Sequence, residues 1–323
     1  MFVVFMTGAI SISIVFLFGC IGETITEKAG HLNLGIPGTM CAGAAGGCWG
    51  VSIYMGMLDN PLQDANWLLI LLFALFFSAI LSGVCGLIYA LLTVSCRANQ
   101  NITGLALTTF GSGFAQFFMD NIVDKKYLPA AGRVISKALP FAKNLNGVAE
   151  ILLSHGVLVY LAIVIAILAT VFLTKTKAGL RLRAVGENPF AADAAGINIT
   201  RYKYLAILIG SAIAGFGGMF YILDYTKGSW ETAAVIESYG WLSVALVIFT
   251  LWKPVVSIFG SVLFGALFIA PRVITGISFA EMKLLNILPY VVTVLVLIFT
   301  SVRGSKENQP PASLGLPYFR EER

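Results

Sequence analysis

Residues 67–94 read WLLILLFALFFSAILSGVCGLIYALLTV, and no residue in the stretch is charged. A run of about 18 or more apolar residues is long enough to cross the ~30 Å hydrocarbon layer of a bilayer as a helix. Val157 to Leu173 and Leu205 to Leu223 are likewise free of charge. The whole chain of 323 residues is 58% hydrophobic and only 11% charged, with a mean hydropathy of +0.87. A soluble domain carries roughly a quarter charged residues, and a larger core would not remove its need for polar cover. These runs predict an all-α, polytopic transmembrane bundle that forms a single domain over 1–323.

Charges and turn residues divide the apolar material into about nine segments, within 8–10 spans. They lie near 2–22, 33–57, 67–94, 103–119, 157–174, 204–224, 239–251, 254–271 and 285–301. The fourth and seventh are short enough to be partial or re-entrant. The first, MFVVFMTGAISISIVFLFGC, lacks a basic leader and runs on to Glu23 with no obvious cleavage site, so it reads as a retained span.

Basic residues near span ends set the orientation. The 175–203 loop carries Lys175, Lys177, Arg181, Arg183, Arg201 and Lys203, and the tail adds Arg303 and Lys306. The loops 58–66 (Asp59, Asp64) and 225–238 (Glu231, Glu237) are acidic. An odd number of spans separates the two kinds, which puts the basic loop and tail in the cytoplasm. Segment 120–156 resists, because alternation places it outside although it holds Lys125, Lys126, Arg133, Lys137 and Lys143. It is amphipathic in places, as a segment lying along a membrane surface would be.

The five cysteines (Cys20, Cys41, Cys48, Cys85, Cys96) form no CxxC pair, and His31 and His155 stand alone. The cysteines read as small core residues and the histidines as local hydrogen-bond partners, with no metal site or cofactor indicated. GAAGGCWG pairs Gly43 with Gly47 and Gly46 with Gly50 at i,i+4, a spacing that lets helices approach closely in lipid. AGFGGMF (Gly215, Gly217, Gly218) is similar. In HLNLGIPGTM (31–40), Asn33, Gly35, Pro37 and Gly38 interrupt a helix at membrane depth. Such a break suits the lining of a translocation path or a kinked structural helix.

Between two apolar runs lies GLRLRAVGENPFAADAAGINITRYK (179–203), a polar island. Asn188 is a preferred N-cap and Pro189 fits the first helical position. Gly196 supplies the left-handed residue that ends many helices. The pattern predicts a helix over 189–195, about 10 Å long and too short to stand alone in water. Its small face of Ala191, Ala192, Ala194 and Ala195, with Phe190 as anchor, suits a groove on a partner or a connector on the membrane surface.

AVGENPFAADAAGIN (184–198) resembles the cytoplasmic coupling motif of bacterial ABC importer permeases of the branched-chain amino acid, ribose and nucleoside group. ETITEKAGHLNLGIPGTM (23–40) is similar to the E-x-x-G-x-x-N-x-G-x-x-G segment of the nucleoside-type branch. RANQNITGLALTTFG (97–111) is similar to its A-N-Q-x-x-x-G-L-A-L segment. SYGWLSVALVIFTLWKPVVSIFGSVLFGALF (238–268) fits as well, so the resemblance covers about 22 to 270. Two positions depart from the family pattern. The usual Glu before a glycine is missing from GIPG, where Pro37 precedes Gly38. The loop near 253, commonly asparagine-rich, reads Trp252-Lys253-Pro254.

The resemblance implies a multi-pass permease subunit of an ATP-driven importer in the bacterial cytoplasmic (inner) membrane. Its implied partners are a second, non-identical permease, an ABC ATPase and an extracytoplasmic substrate-binding protein, besides membrane lipid; no nucleic acid is implied. By motif match Glu187, Asn188, Pro189, Phe190, Ala192 and Gly196 couple to the ATPase. The chain itself lacks a GxxxxGK[ST] phosphate loop and any nucleophile–base constellation, so it reads as a non-catalytic subunit. A gradient-driven secondary transporter is the other class, and it would place ionisable residues within spans. The candidate path lining is Asn33, Phe110, Phe114, Gln116, Phe117 and Tyr221. Aromatic faces with a few amides suit a neutral, ring-containing polar solute. Nucleosides come first, then ribose-like sugars, then riboflavin or branched-chain amino acids.

Overall fold

The computed structural model describes residues 2–61, 64–138, 147–274, 278–285, 287–303 and 309–319; Lys143 and Lys306 lie outside them. Every regular element among the described residues is helical. In chain order these are α1 (Phe2–Glu27), α2 (Ile36–Gly56), α3 (Trp67–Ala90), α4 (Gln100–Asn121), α5 (Leu128–Ile135), α6 (Val148–Leu153) and α7 (Val157–Lys175). Then follow α8 (Lys177–Glu187), α9 (Pro189–Ala194), α10 (Ile199–Phe220), α11 (Ala233–Phe249), α12 (Pro254–Val273), α13 (Phe279–Leu285) and α14 (Leu288–Arg303). Each of the nine expected segments coincides with one of the long helices.

Among the described residues, five stretches are long and apolar enough to cross a membrane: Phe2–Glu27, Trp67–Ser95, Val157–Lys175, Ile199–Tyr225 and Pro254–Pro271. α3 and α10 are each extended by a π-helical last turn, Leu91–Ser95 and Tyr221–Tyr225. The fourth segment is α4, 22 residues or about 33 Å of helix, but it is not among the five apolar enough to cross. It begins at Gln100, three residues before the expected start at 103, because Asn99 caps it and accepts a hydrogen bond from Ile102 N at 3.1 Å.

α2 is the centre of the bundle. Nearly all its residues are buried, as expected of a helix that is apolar all round. Its glycines explain how it fits. A Cβ on Gly43 would run into the Gly215 backbone of α10, and one on Gly47 into the Met219 side chain. A Cβ on Gly46 or Gly50 would meet the Phe77 or Phe73 carbonyl of α3. The two i,i+4 pairs thus seat two different neighbours.

Long-range contacts sort the connections into two ends. At one end the 28–35 turn, the α3–α4 turn, α8–α9, the 250–253 turn and the tail 309–319 come together. At the other, Asp124 N donates to Ser52 Oγ at 3.1 Å and Ala233 N to Gln116 Oε1 at 2.9 Å. The basic 175–203 loop is at the first end, and the acidic 225–238 connection is at the second. The lysines that seemed misplaced in 120–156 are partly neutralised within it: Lys125 pairs with Asp120 at 2.6 Å and Lys126 with Asp124 at 2.7 Å. α5 there buries Leu128, Ala131 and Ile135 and exposes Arg133, the amphipathic helix anticipated. Four cysteines are buried and Cys96 is exposed. His155, as the Nε2–H tautomer, donates to Ile151 O at 2.8 Å and accepts from the Ser11 hydroxyl at 3.3 Å.

Candidate functional site

The short helix α9 is built by its punctuation. Asn188 is extended, and its side chain accepts from Ala191 N at 2.9 Å; Pro189 follows at the first helical position. At the other end Gly196 is left-handed, with φ +77°. Ile197 N donates to Ala192 O at 3.0 Å and Gly196 N to Asp193 O at 2.9 Å. This pair of bonds is a Schellman motif. The helix closes at Ala194, one residue before the expected end, because Ala195 has already left helical ψ to form the cap.

α9 has an inner and an outer face. Ala192 is buried against Val185 and Ile199. Phe190, Ala191, Ala194 and Ala195 are exposed. The outward surface is therefore Phe190 and three alanines, while Ala192 holds the helix to its own chain.

The C-terminal tail completes this end, a role not anticipated from the sequence. Glu187 accepts from Ala312 N at 3.3 Å, and Ser313 N donates to Gly186 O at 3.0 Å. Tyr318 donates its hydroxyl to Asp193 at 2.9 Å and sets its ring edge-on to Phe190, centroids 5.2 Å apart. Gly315 N reaches Gly30 O at 3.3 Å, and the Arg97 guanidinium lies 4.8 Å from the centre of the Phe319 ring. The tail thus ties α9 to both the α1–α2 and α3–α4 turns. The one available signal was Tyr318-Phe319, an aromatic pair in a tail otherwise built from turn residues.

The break expected in 31–40 falls at 28–35, and Pro37 and Gly38 sit inside the first turn of α2. Its backbone groups find partners on side chains from distant helices. Asn33 N donates to Glu23 Oε1 at 2.8 Å and Leu32 N to Gln100 Oε1 at 2.8 Å. Tyr89 donates to Leu32 O at 2.6 Å and Thr108 to Leu34 O at 2.7 Å. Asn33 Oδ1 accepts from Gly35 N at 2.9 Å. The two motifs at 23–40 and 97–111 therefore meet in space. A Cβ on Gly38 would strike the Leu107 carbonyl, so α4 lies directly on the start of α2.

Below this turn, Glu23 and Glu27 are buried on one face of α1, and the Trp252 indole donates to Glu27. Trp252, one of the departures from the family pattern, thus binds the first span to the 250–253 turn, and Lys28 lies 5.9 Å from the centre of its ring. Burial, helped by the nearby Arg183 guanidinium, lowers the Lys28 ammonium below its usual range. Burial, reinforced by Lys203, holds the His31 imidazole well below its ordinary value, so the ring is neutral at physiological pH. Glu23 Oε2, Asn33 Nδ2 and both His31 ring nitrogens are buried without a hydrogen bond among the described residues.

The six candidate path residues do not form one lining. Asn33 is buried in the 28–35 turn. Phe110 and Phe117 are exposed, at 54% and 61%, on the outside of α4. Phe114, half-buried between them, stacks on Phe110 with centroids 6.0 Å apart. Gln116 spans α4 and α11, accepting from Ala233 N and donating to Asp120 at 2.6 Å. Tyr221 is buried at the π-helical end of α10, against Tyr239 at 5.0 Å and Tyr225 at 5.7 Å. Phe110, Phe114 and Phe117 share one helix; Asn33 and Tyr221 lie at opposite ends of the bundle.

The family described as branched-chain amino acid transport system / permease component matches residues 5–301, and the chain belongs to it. The chain is 31% identical to the nucleoside ABC transporter permease protein NupC of Lactococcus lactis, over 87% of each chain. A second permease of the same organism, NupB, is 25% identical over 75% of this chain and 65% of its own. The provisionally assigned glucose permease TsgC13 of Haloferax volcanii is 28% identical over 98% of this chain and 97% of its own.

Proposed function

We propose that this chain is one permease subunit of an ATP-driven nucleoside importer in a bacterial cytoplasmic membrane. α9 is its docking helix for a partner ATPase. The observation that carries this reading is the exposed, doubly capped α9, whose inner face is fixed to the chain and whose outer face of Phe190 and small residues is left for a partner. In this reading the end bearing α8, α9 and the tail faces the cytoplasm. The 58–66, 120–156 and 225–238 segments then face a substrate-binding protein outside.

A second, non-identical permease completes the assembly, as the likeness to both NupC and NupB supports. The outward face of α4 suits that contact. It mixes Thr109 and Gly113 with Phe110 and Phe117, a more polar surface than lipid-facing helices present. ATP hydrolysis at the partner would then rock α8–α9, and the 28–35 turn would move with them through the tail.

The test is uptake in a strain lacking this chain, with labelled adenosine, guanosine, uridine, ribose and glucose. Loss of nucleoside uptake is expected. Loss of sugar uptake alone would promote the sugar reading, which the TsgC13 likeness favours. In proteoliposomes, uptake driven by an ion gradient without ATP would promote the gradient-driven class.

A further inference from the structure

A groove of about 1040 Å³ opens between α7, α8, the end of α9 and α10. Ile165, Leu168 and Phe172 of α7 form one wall; Leu205, Ile209 and Ile213 of α10 form the other. Leu168 is 60% exposed and Ile209 49% exposed, so this chain leaves both walls open. From Leu205 to Ile213 the groove runs along α10 for about 12 Å at the helical rise of 1.5 Å per residue. That is close to the depth of one leaflet, half of the ~30 Å hydrocarbon layer.

The polar groups gather at one end. Arg181 of α8 and Arg201 of α10 line the groove there, beside Asn198. Both arginines are exposed, and neither forms an ion pair among the described residues. Among the described residues no carboxylate lines the groove. An aliphatic trough one leaflet deep, closed at its aqueous end by two guanidiniums, matches an amphiphile with an anionic head. A nucleoside, polar throughout, would leave the trough unfilled. Guanidinium forks suit phosphate oxygens, and basic pockets between spans on the cytoplasmic side bind anionic lipid headgroups.

We propose that this groove binds an anionic phospholipid of the cytoplasmic leaflet, with its phosphate between Arg181 and Arg201 and its acyl chains along α7 and α10. The choice of leaflet rests on the orientation given above. The groove is also lined by Ala195, Gly196 and Ile197, the turn that ends α9. The lipid therefore fills the space behind the docking helix and fixes its seat, and removing it loosens coupling.

The test is lipid retention by the complete transporter, purified in mild detergent from a membrane containing phosphatidylglycerol and quantified by mass spectrometry. At about 1 kcal/mol for each basic residue near the surface, Arg181→Gln or Arg201→Gln should lower retention about fivefold, and the double variant about thirtyfold. Ile209→Trp, which fills the trough and keeps both arginines, should lower it comparably. Leu168→Trp, on the exposed side of α7, serves if Ile209→Trp does not reach the membrane. Unchanged retention in the double variant overturns the proposal. So does loss in the double variant with full retention in the tryptophan variant, which would mean that the arginines attract headgroups or the ATPase surface without a seated lipid. Retention is read without transport, so a wrong substrate assignment leaves the result intact.

Discussion

α2 and α9 are both helices of small residues, and they are held in opposite ways. α2 is buried through most of its length, and its glycines are closed upon by the backbones and side chains of α3 and α10. α9 is six residues long, and open space surrounds the position of a Cβ on its terminating Gly196. In α2 the small residue is required by what lies outside the helix. In α9 it is required by the φ of the residue itself. One helix is fixed by shape and tolerates no added volume. The other is fixed by hydrogen bonds and leaves its outer face free. Damage to the first should therefore unfold the protein, and damage to the second should leave it folded while disconnecting it from its motor.

The sharpest test of that contrast is Gly43→Val, which drives a branched side chain into the α10 backbone. Overpacking costs about 1–3 kcal/mol and at times more, and against a backbone that cannot yield the variant should be missing from the membrane fraction on immunoblots. Normal membrane levels with lost transport would break the comparison. Gly196→Val comes next, because a β-branched residue in a left-handed conformation costs about 1–2 kcal/mol. It should reach the membrane at normal levels and hydrolyse ATP without accumulating substrate in a reconstituted transport assay.

Asn188→Ala removes the N-cap of α9 at a cost of about 1 kcal/mol. The same uncoupling is expected, weaker than in Gly196→Val, and a wild-type ratio of uptake to hydrolysis would contradict it. The smallest effect belongs to Tyr318→Phe. It keeps the ring against Phe190 and loses the bond to Asp193, worth about 0.5–1.5 kcal/mol. Hydrogen exchange over 188–197 should quicken while uptake falls by less than half. An unchanged exchange rate would show that the tail does not steady α9.

Local features were legible in the sequence. Asn188, Pro189 and Gly196 announce α9 because caps depend on the residues beside them, and the apolar runs announce the spans because hydrophobic length is a local property. The break near Asn33 was visible too, but its partners Glu23, Tyr89, Gln100 and Thr108 were not, since they come from three other helices. The six candidate path residues lie apart in this chain for a related reason. Spans that are apolar on every side carry no periodic signal of which face turns inward, so Phe117, on the outside, and Tyr221, in the core, read alike. The groove behind α9 was invisible because Arg181 and Arg201 are separated in sequence by the helix they flank. Only the fold makes them neighbours.

The wiring of the 28–35 turn has a consequence for biosynthesis. A membrane protein emerges from the ribosome in order, and a buried backbone group left unpaired costs about 1–3 kcal/mol. The Leu32 carbonyl has no final partner until residue 89 has been made, its amide none until residue 100, and the Leu34 carbonyl none until residue 108. The first two spans therefore cannot settle as an independent hairpin. Their connecting turn must wait, hydrated, until α4 arrives to bury it.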